Sequence, residues 1–148
     1  MRGPESTYST IWGIVRGAMD FQTLRLTAKP NQYLVAPAGL CAQAKPHLAA
    51  PEFAIAPAAL RAAFRNVALA QPRVVQTGAD EATLTDTYVQ RSAFLGFPDT
   101  ITVRFLTAGT GRSSLAIYSR SRYGYSDLGV NKARIDAWLR DLASKCPD

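Results

Sequence analysis

The sequence predicts an α+β fold: an antiparallel sheet of about five strands, in the order strand, helix, four strands, helix, with both helices packed on one face. Three observations predict it. Residues 57–71, "PAALRAAFRNVALAQ", place Leu60, Ala63, Phe64 and Val67 on one face at helical spacing. "TITVRFL" and "SSLAIYSRSR" alternate apolar and polar residues, the period of a half-buried strand. A second helical stripe, Ile135, Trp138, Leu139 and Leu142, runs through residues 128–142. Connections between successive strand candidates are short, which favours an antiparallel meander. The arrangement resembles the helix-grip and TATA-box-binding-protein-like folds, a likeness of fold that licenses no function.

In chain order, residues 1–32 read as an N-terminal extension and 33–148 as a single domain. A short helical piece is expected near Thr10–Met19, within "TIWGIVRGAM". Arg16 interrupts it, and it falls short of the ~20 apolar residues that cross a bilayer. It has no signal-peptide pattern, so the cytoplasm is the default expectation. Such a segment docks on the protein's own body or lies on a membrane surface. Pro30-Asn31 marks a turn, "YLVAPAG" a short strand or an extended segment, and the Ala/Pro-rich stretch Pro37–Pro51 a surface loop.

"EFAIA" is expected to form a short strand before the first helix. Pro57 suits a first helical turn, where its missing N–H is not needed, and Pro72 stops the helix. "RVVQT" is a strand closed by Gly78-Ala79-Asp80, and "TLTDTYVQR" is the next. "GFPD" and "AGTGR" are the turns on either side of "TITVRFL". Ser126 or Asp127 is placed to cap the last helix.

Composition narrows function. The 148 residues carry a net charge of +6, with a pI near 9.7. A basic balance favours anionic partners. The charges are scattered, with no basic tail or run, and this argues against nucleic acid, which binds a clustered basic face. Cys41 and Cys146 form no metal-binding pattern and read as two free thiols, with a disulfide between them as the alternative in an oxidising compartment. No cofactor-binding motif is present; "GTG" at 109–111 is a hairpin turn.

Alternation then places a candidate surface. With Ile101, Val103, Phe105, Leu115 and Ile117 facing the helices, Thr102, Arg104, Tyr118, Arg120 and Arg122 face away. That face is either ordinary solvated sheet or a site for a small anion or an acidic protein partner, because arginine forks onto carboxylate and phosphate. The stretch "SRSRYGYSDLGVNKARIDAW" follows directly. In it Gly124 and Gly129 permit special backbone angles, Asp127 caps or pairs with an arginine, and Asn131 satisfies loop backbone groups. The same residues allow a second reading, an anion site at a helix N-terminus beside arginines.

These segments carry a resemblance. "YVQRSAFLGF", "PDTITVRFL" and "IYSRSRYGYSDLGVNKARIDAWL" resemble the bacterial domain of unknown function family 1499. The run is Ser119, Arg120, Ser121, Arg122, Gly124, Ser126, Asp127, Gly129, Asn131 and Arg134. Ser119 departs from the arginine that many members carry. A Phe97-Pro98-Asp99 turn lies one hairpin earlier, and "KPNQYLVAP" resembles the family's Pro-Asn segment. The resemblance implies a fold and no settled activity.

The leading expectation is a non-enzymatic binding or accessory domain. Its contacts are Arg104, Tyr118, Arg120, Arg122, Asn131 and Arg134, and Asp99, Ser121, Gly124, Ser126, Asp127 and Gly129 are its structural motif. The alternative is an enzyme, such as a hydrolase, that uses Asp99, Asp127 and arginines. The only histidine, His47, sits in the Pro/Ala-rich loop with no serine nearby in sequence, so a catalytic triad is hard to assemble.

Overall fold

Strand alternation and two amphipathic helices build the architecture. The computed structural model describes residues 19–146, so the helical piece expected near Thr10–Met19 lies outside the described residues except for Met19. Its strands are β1 (Gln32–Ala36), β2 (Leu48–Ala49), β3 (Val74–Asp80), β4 (Thr85–Arg91), β5 (Pro98–Thr107) and β6 (Ser113–Ser121), and its helices are α1 (Pro57–Leu69) and α2 (Val130–Lys145). They form one six-stranded sheet in the order β2-β1-β6-β5-β4-β3. Among the described residues no helix is long and apolar enough to cross a membrane.

The α+β class holds, but the sheet is mixed and six-stranded where the sequence predicts about five antiparallel strands. Two strands, β1 and β2, precede the first helix in place of the one expected there, and β2 pairs parallel to β1 through Val35–Leu48 and Ala36–Ala49. His47 explains the direction. Its backbone N–H donates to the Leu34 carbonyl at 2.8 Å, and its ring Nδ1 accepts the Leu34 N–H at 2.9 Å. The ring stacks on Tyr33 at 5.4 Å. One residue thus anchors the returning chain beside β1. By contrast, "EFAIA" contributes only the Phe53–Ser113 bridge, because Pro51 and Pro57 leave too little chain to pair.

Other boundaries move for local reasons. β3 continues through Gly78 to Asp80, with a bulge between Gln76 and Gly78. The turn comes afterwards, where Asp80 Oδ1 accepts the Ala82 N–H at 3.0 Å. The loop between β4 and β5 is Ser92–Phe97, and Pro98-Asp99 already pairs with Arg91 and Gln90 instead of turning.

Both helices cover one face. Phe64 on α1 is the hub, in contact with Tyr88, Phe105 and Trp138 at ring distances of 6.0, 5.6 and 5.9 Å. The predicted stripes are buried here as Leu60, Phe64 and Val67 and as Ile135, Trp138 and Leu142. The opposite face is not a plain solvated surface. Phe21, Leu34, Ala36, Ala116 and Tyr118 form a second, smaller core beneath residues 19–26 and 40–44. Cys41 packs there and Cys146 packs in the helix-side core, so the sheet separates the two free thiols.

An ion pair is also buried on the helix side. Arg61 grips Asp86 with two hydrogen bonds, at 3.0 and 2.7 Å, and reaches Glu81 at 2.7 Å. Asp86 is fully buried. These carboxylates push the Arg61 pKa up, which keeps the charge in place. Arg61→Ala strands Asp86 without its main partner, so urea unfolding is expected to show a loss of about 3–5 kcal/mol, while Arg61→Met with Asp86→Leu restores most of it.

Candidate functional site

The strand-to-helix stretch folds into one hydrogen-bonded network. β6 presents Ser119 and Ser121 toward α2, and the first two turns of α2 supply Asn131 and Arg134. Asn131 is fully buried. Its Nδ2 donates to Ser121 Oγ at 2.9 Å, to Asp127 Oδ2 at 2.6 Å and to the Asn31 carbonyl at 3.2 Å. Its Oδ1 accepts from Ser119 Oγ at 2.6 Å and from Arg134 at 2.8 Å. Arg134 also pairs with Asp99 at 2.6 Å and donates through Nε to Gln90. The Asn31 side chain donates to the Gly124 carbonyl at 2.9 Å.

Asp127 caps the helix from outside it. The helix begins at Val130, two residues later than the sequence predicts, with left-handed Gly129 (φ 82°) in the capping position. Asp127 Oδ1 accepts the Gly129 N–H at 2.8 Å, and Oδ2 accepts the Asn131 N–H at 3.0 Å. Ser126 Oγ accepts the Leu128 N–H at 3.2 Å. Partial burial works to raise the Asp127 pKa, but the side-chain hydrogen bond from Asn131 and the backbone N–H groups outweigh it and hold the carboxyl below its ordinary value. Such a group stays charged near neutrality and is poorly matched to general acid–base work.

The predicted contact residues separate onto two faces. Asn131 and Arg134 lie on the helix side, inside the network. Tyr118, Arg120 and Arg122 lie on the other side, lining a groove of 410 Å³ with Arg25, Thr100 and Thr102. The Tyr118 hydroxyl donates to Gln32 Oε1 at 2.5 Å. Burial pushes its pKa up, and Arg120 pulls the other way. Arg25, Arg120 and Arg122 are exposed, and none pairs with an acid among the described residues. Arg104 shares this face, with its Nε buried and unpartnered, but it does not line the groove. Asp99 and Asp127 sit at opposite ends of the chain of hydrogen bonds through Arg134 and Asn131, and Asp99 borders a 390 Å³ cavity with Arg73 and Arg91.

Every segment that carries the sequence resemblance therefore meets at one place: Asn31, Gln90, Asp99, Ser119, Ser121, Asp127, Asn131 and Arg134. Residues 25–142 match the model of the family described as protein of unknown function (DUF1499). The chain belongs to that family. No curated protein and no solved structure matches it.

In this DUF1499 chain the groove also draws on residues that sequence reasoning did not single out. Arg25, Met19, Leu24 and Thr27 come from the segment read as an extension, and only tertiary packing brings them over β5 and β6. Phe21, fully buried, was the available signal that this segment docks.

Two outcomes test the network. The folded pKa of Asp127 lies below its unfolded value, so its contribution to stability is present above the unfolded value and is lost as pH falls through the folded one. Acid titration of thermal stability is expected to show that loss in the wild type and a smaller one in Asp127→Asn. Gly129→Ala meets no atom within 4 Å, so calorimetry is expected to show only the left-handed backbone strain, about 1–2 kcal/mol.

Proposed function

We propose that this is a non-enzymatic binding domain whose ligand is a small amphiphilic anion held in the groove over β5 and β6. One observation carries the reading: Arg25, Arg120 and Arg122 line a single groove with no acid among the described residues of its wall. Thr100, Thr102 and Tyr118 add hydroxyls, and Met19 and Leu24 add an apolar wall. Forked guanidinium groups suit a carboxylate, phosphate or sulfonate, and the apolar wall suits a hydrocarbon body. The groove's 410 Å³ falls within the range of small-molecule sites, about 300–1,000 Å³. An acidic protein segment is a poorer match to so limited a concavity. An enzyme built on Asp99 and Asp127 has less support, because Arg134 and Asn131 already engage both carboxylates.

Isothermal titration with dodecanoate and with dodecanol tests this. Dodecanoate is expected to bind and the alcohol to bind far more weakly. Arg120→Ala with Arg122→Ala is expected to weaken dodecanoate binding by about tenfold or more, the scale of one charge-assisted hydrogen bond. Equal binding of acid and alcohol, or unchanged affinity in a folded double variant, overturns the reading.

A further inference from the structure

The exposed apolar side chains are concentrated at one end of the sheet. β4 ends, β5 begins and β6 ends there, so the Ser92–Phe97 loop and the loop before α2 lie side by side. Phe97 and Tyr123 touch across them, with ring centroids 5.6 Å apart. Phe94 is 99% exposed, Leu95 72% and Leu128 94%. Leu128 also holds φ at 55°, a left-handed angle that glycine or asparagine adopts more easily. Neither packing nor backbone conformation accounts for a leucine at that position.

The charges at this end have one free sign. Among the described residues its two acids, Asp99 and Asp127, are bound to Arg134 and Asn131. Arg73 and Arg91 line a 390 Å³ cavity beside the loops, and neither pairs with an acid among the described residues. Arg91 donates to the Gly96 carbonyl at 2.8 Å and Arg73 to the Arg91 carbonyl at 2.9 Å, which leaves each guanidinium with further N–H donors. Asp80 and Glu81 sit at the far end of the β3–β4 hairpin.

We propose that this end of the domain docks on an anionic bilayer surface, with Phe94, Leu95 and Leu128 entering the interface and Arg73 and Arg91 meeting lipid phosphates. Side chains this exposed project from the surface instead of lining a groove. A fluid apolar phase surrounds a projecting side chain, whereas a second protein needs a matching pocket for each one. Apolar tips beside basic residues are the combination that holds a protein at an anionic interface. The site is separate from the groove and does not rest on its ligand.

Co-sedimentation of the full chain tests this with two kinds of vesicle, phosphatidylcholine alone and phosphatidylcholine mixed with phosphatidylglycerol. Binding is expected to the mixed vesicles and to weaken as salt rises. Phe94→Ser with Leu95→Ser, and Leu128→Ser separately, change residues that are nearly free of contacts, so melting is expected to stay unchanged. The double variant is expected to lose at least about tenfold in vesicle affinity, and Arg73→Gln about fivefold. No binding to the mixed vesicles, or binding unchanged in the folded serine variants, overturns the proposal. Gel filtration covers the competing outcome: self-association of the wild type that the serine variants abolish, without vesicle binding, makes the tip a protein interface and also overturns it.

Discussion

One buried side-chain amide, Asn131, joins the parts of this fold that are far apart in sequence. It reaches the start of β1 through the Asn31 carbonyl, the end of β6 through Ser119 and Ser121, and the helix cap through Asp127. An amide suits the task because it donates and accepts at once. A carboxylate in its place would have no donor for Asp127, and a leucine would leave several buried polar groups without partners. Arg134, one turn later, extends the network to β4 and β5 through Gln90 and Asp99. The angle and depth at which α2 meets the sheet follow from these contacts together with its apolar stripe.

This constraint has a consequence for function. The network takes up the two acids near the strand-to-helix loop, so arginine charge is what remains for solvent and ligands there. Within the motif, Ser119, Ser121, Asp127, Asn131 and Arg134 spend their polar groups on one another and on Asp99. The free chemistry lies in the motif's own Arg120 and Arg122, which turn to the far-face groove with Arg25, and in the arginines beside the loop tips.

The buried Arg61–Asp86 pair plays a parallel part at the other end of the sheet. It ties α1 to β4 through a side chain that helical periodicity alone assigns to no particular role. Arg61 sits next to Leu60 in sequence, and both are buried. Charge in a predicted amphipathic helix reads as solvent-facing, and only the position of Asp86 on β4 draws it inward. Tyr118 shows the same limit on the far face, where the covering segment and not the alternation decides its burial.

The sequence by itself determined both helices, the strands β3 to β6 and their inner faces. Periodicity is a local property, so the stripes of α1 and α2 and the alternation in β5 and β6 could be read directly. The long motif from Ser119 to Arg134 was also legible as one unit, because its residues lie close together in the chain. Tertiary structure alone decided which distant residues meet. The parallel β2 depends on a histidine reaching Leu34 thirteen residues back. The groove depends on Arg25 and Leu24 crossing strands that lie more than seventy residues later in the chain. Neither contact has a period or a motif, since each arises from loop paths and packing. The predicted binding residues were divided between two faces for the same reason: a strand's alternation reports which side a residue takes, but not what comes to cover it.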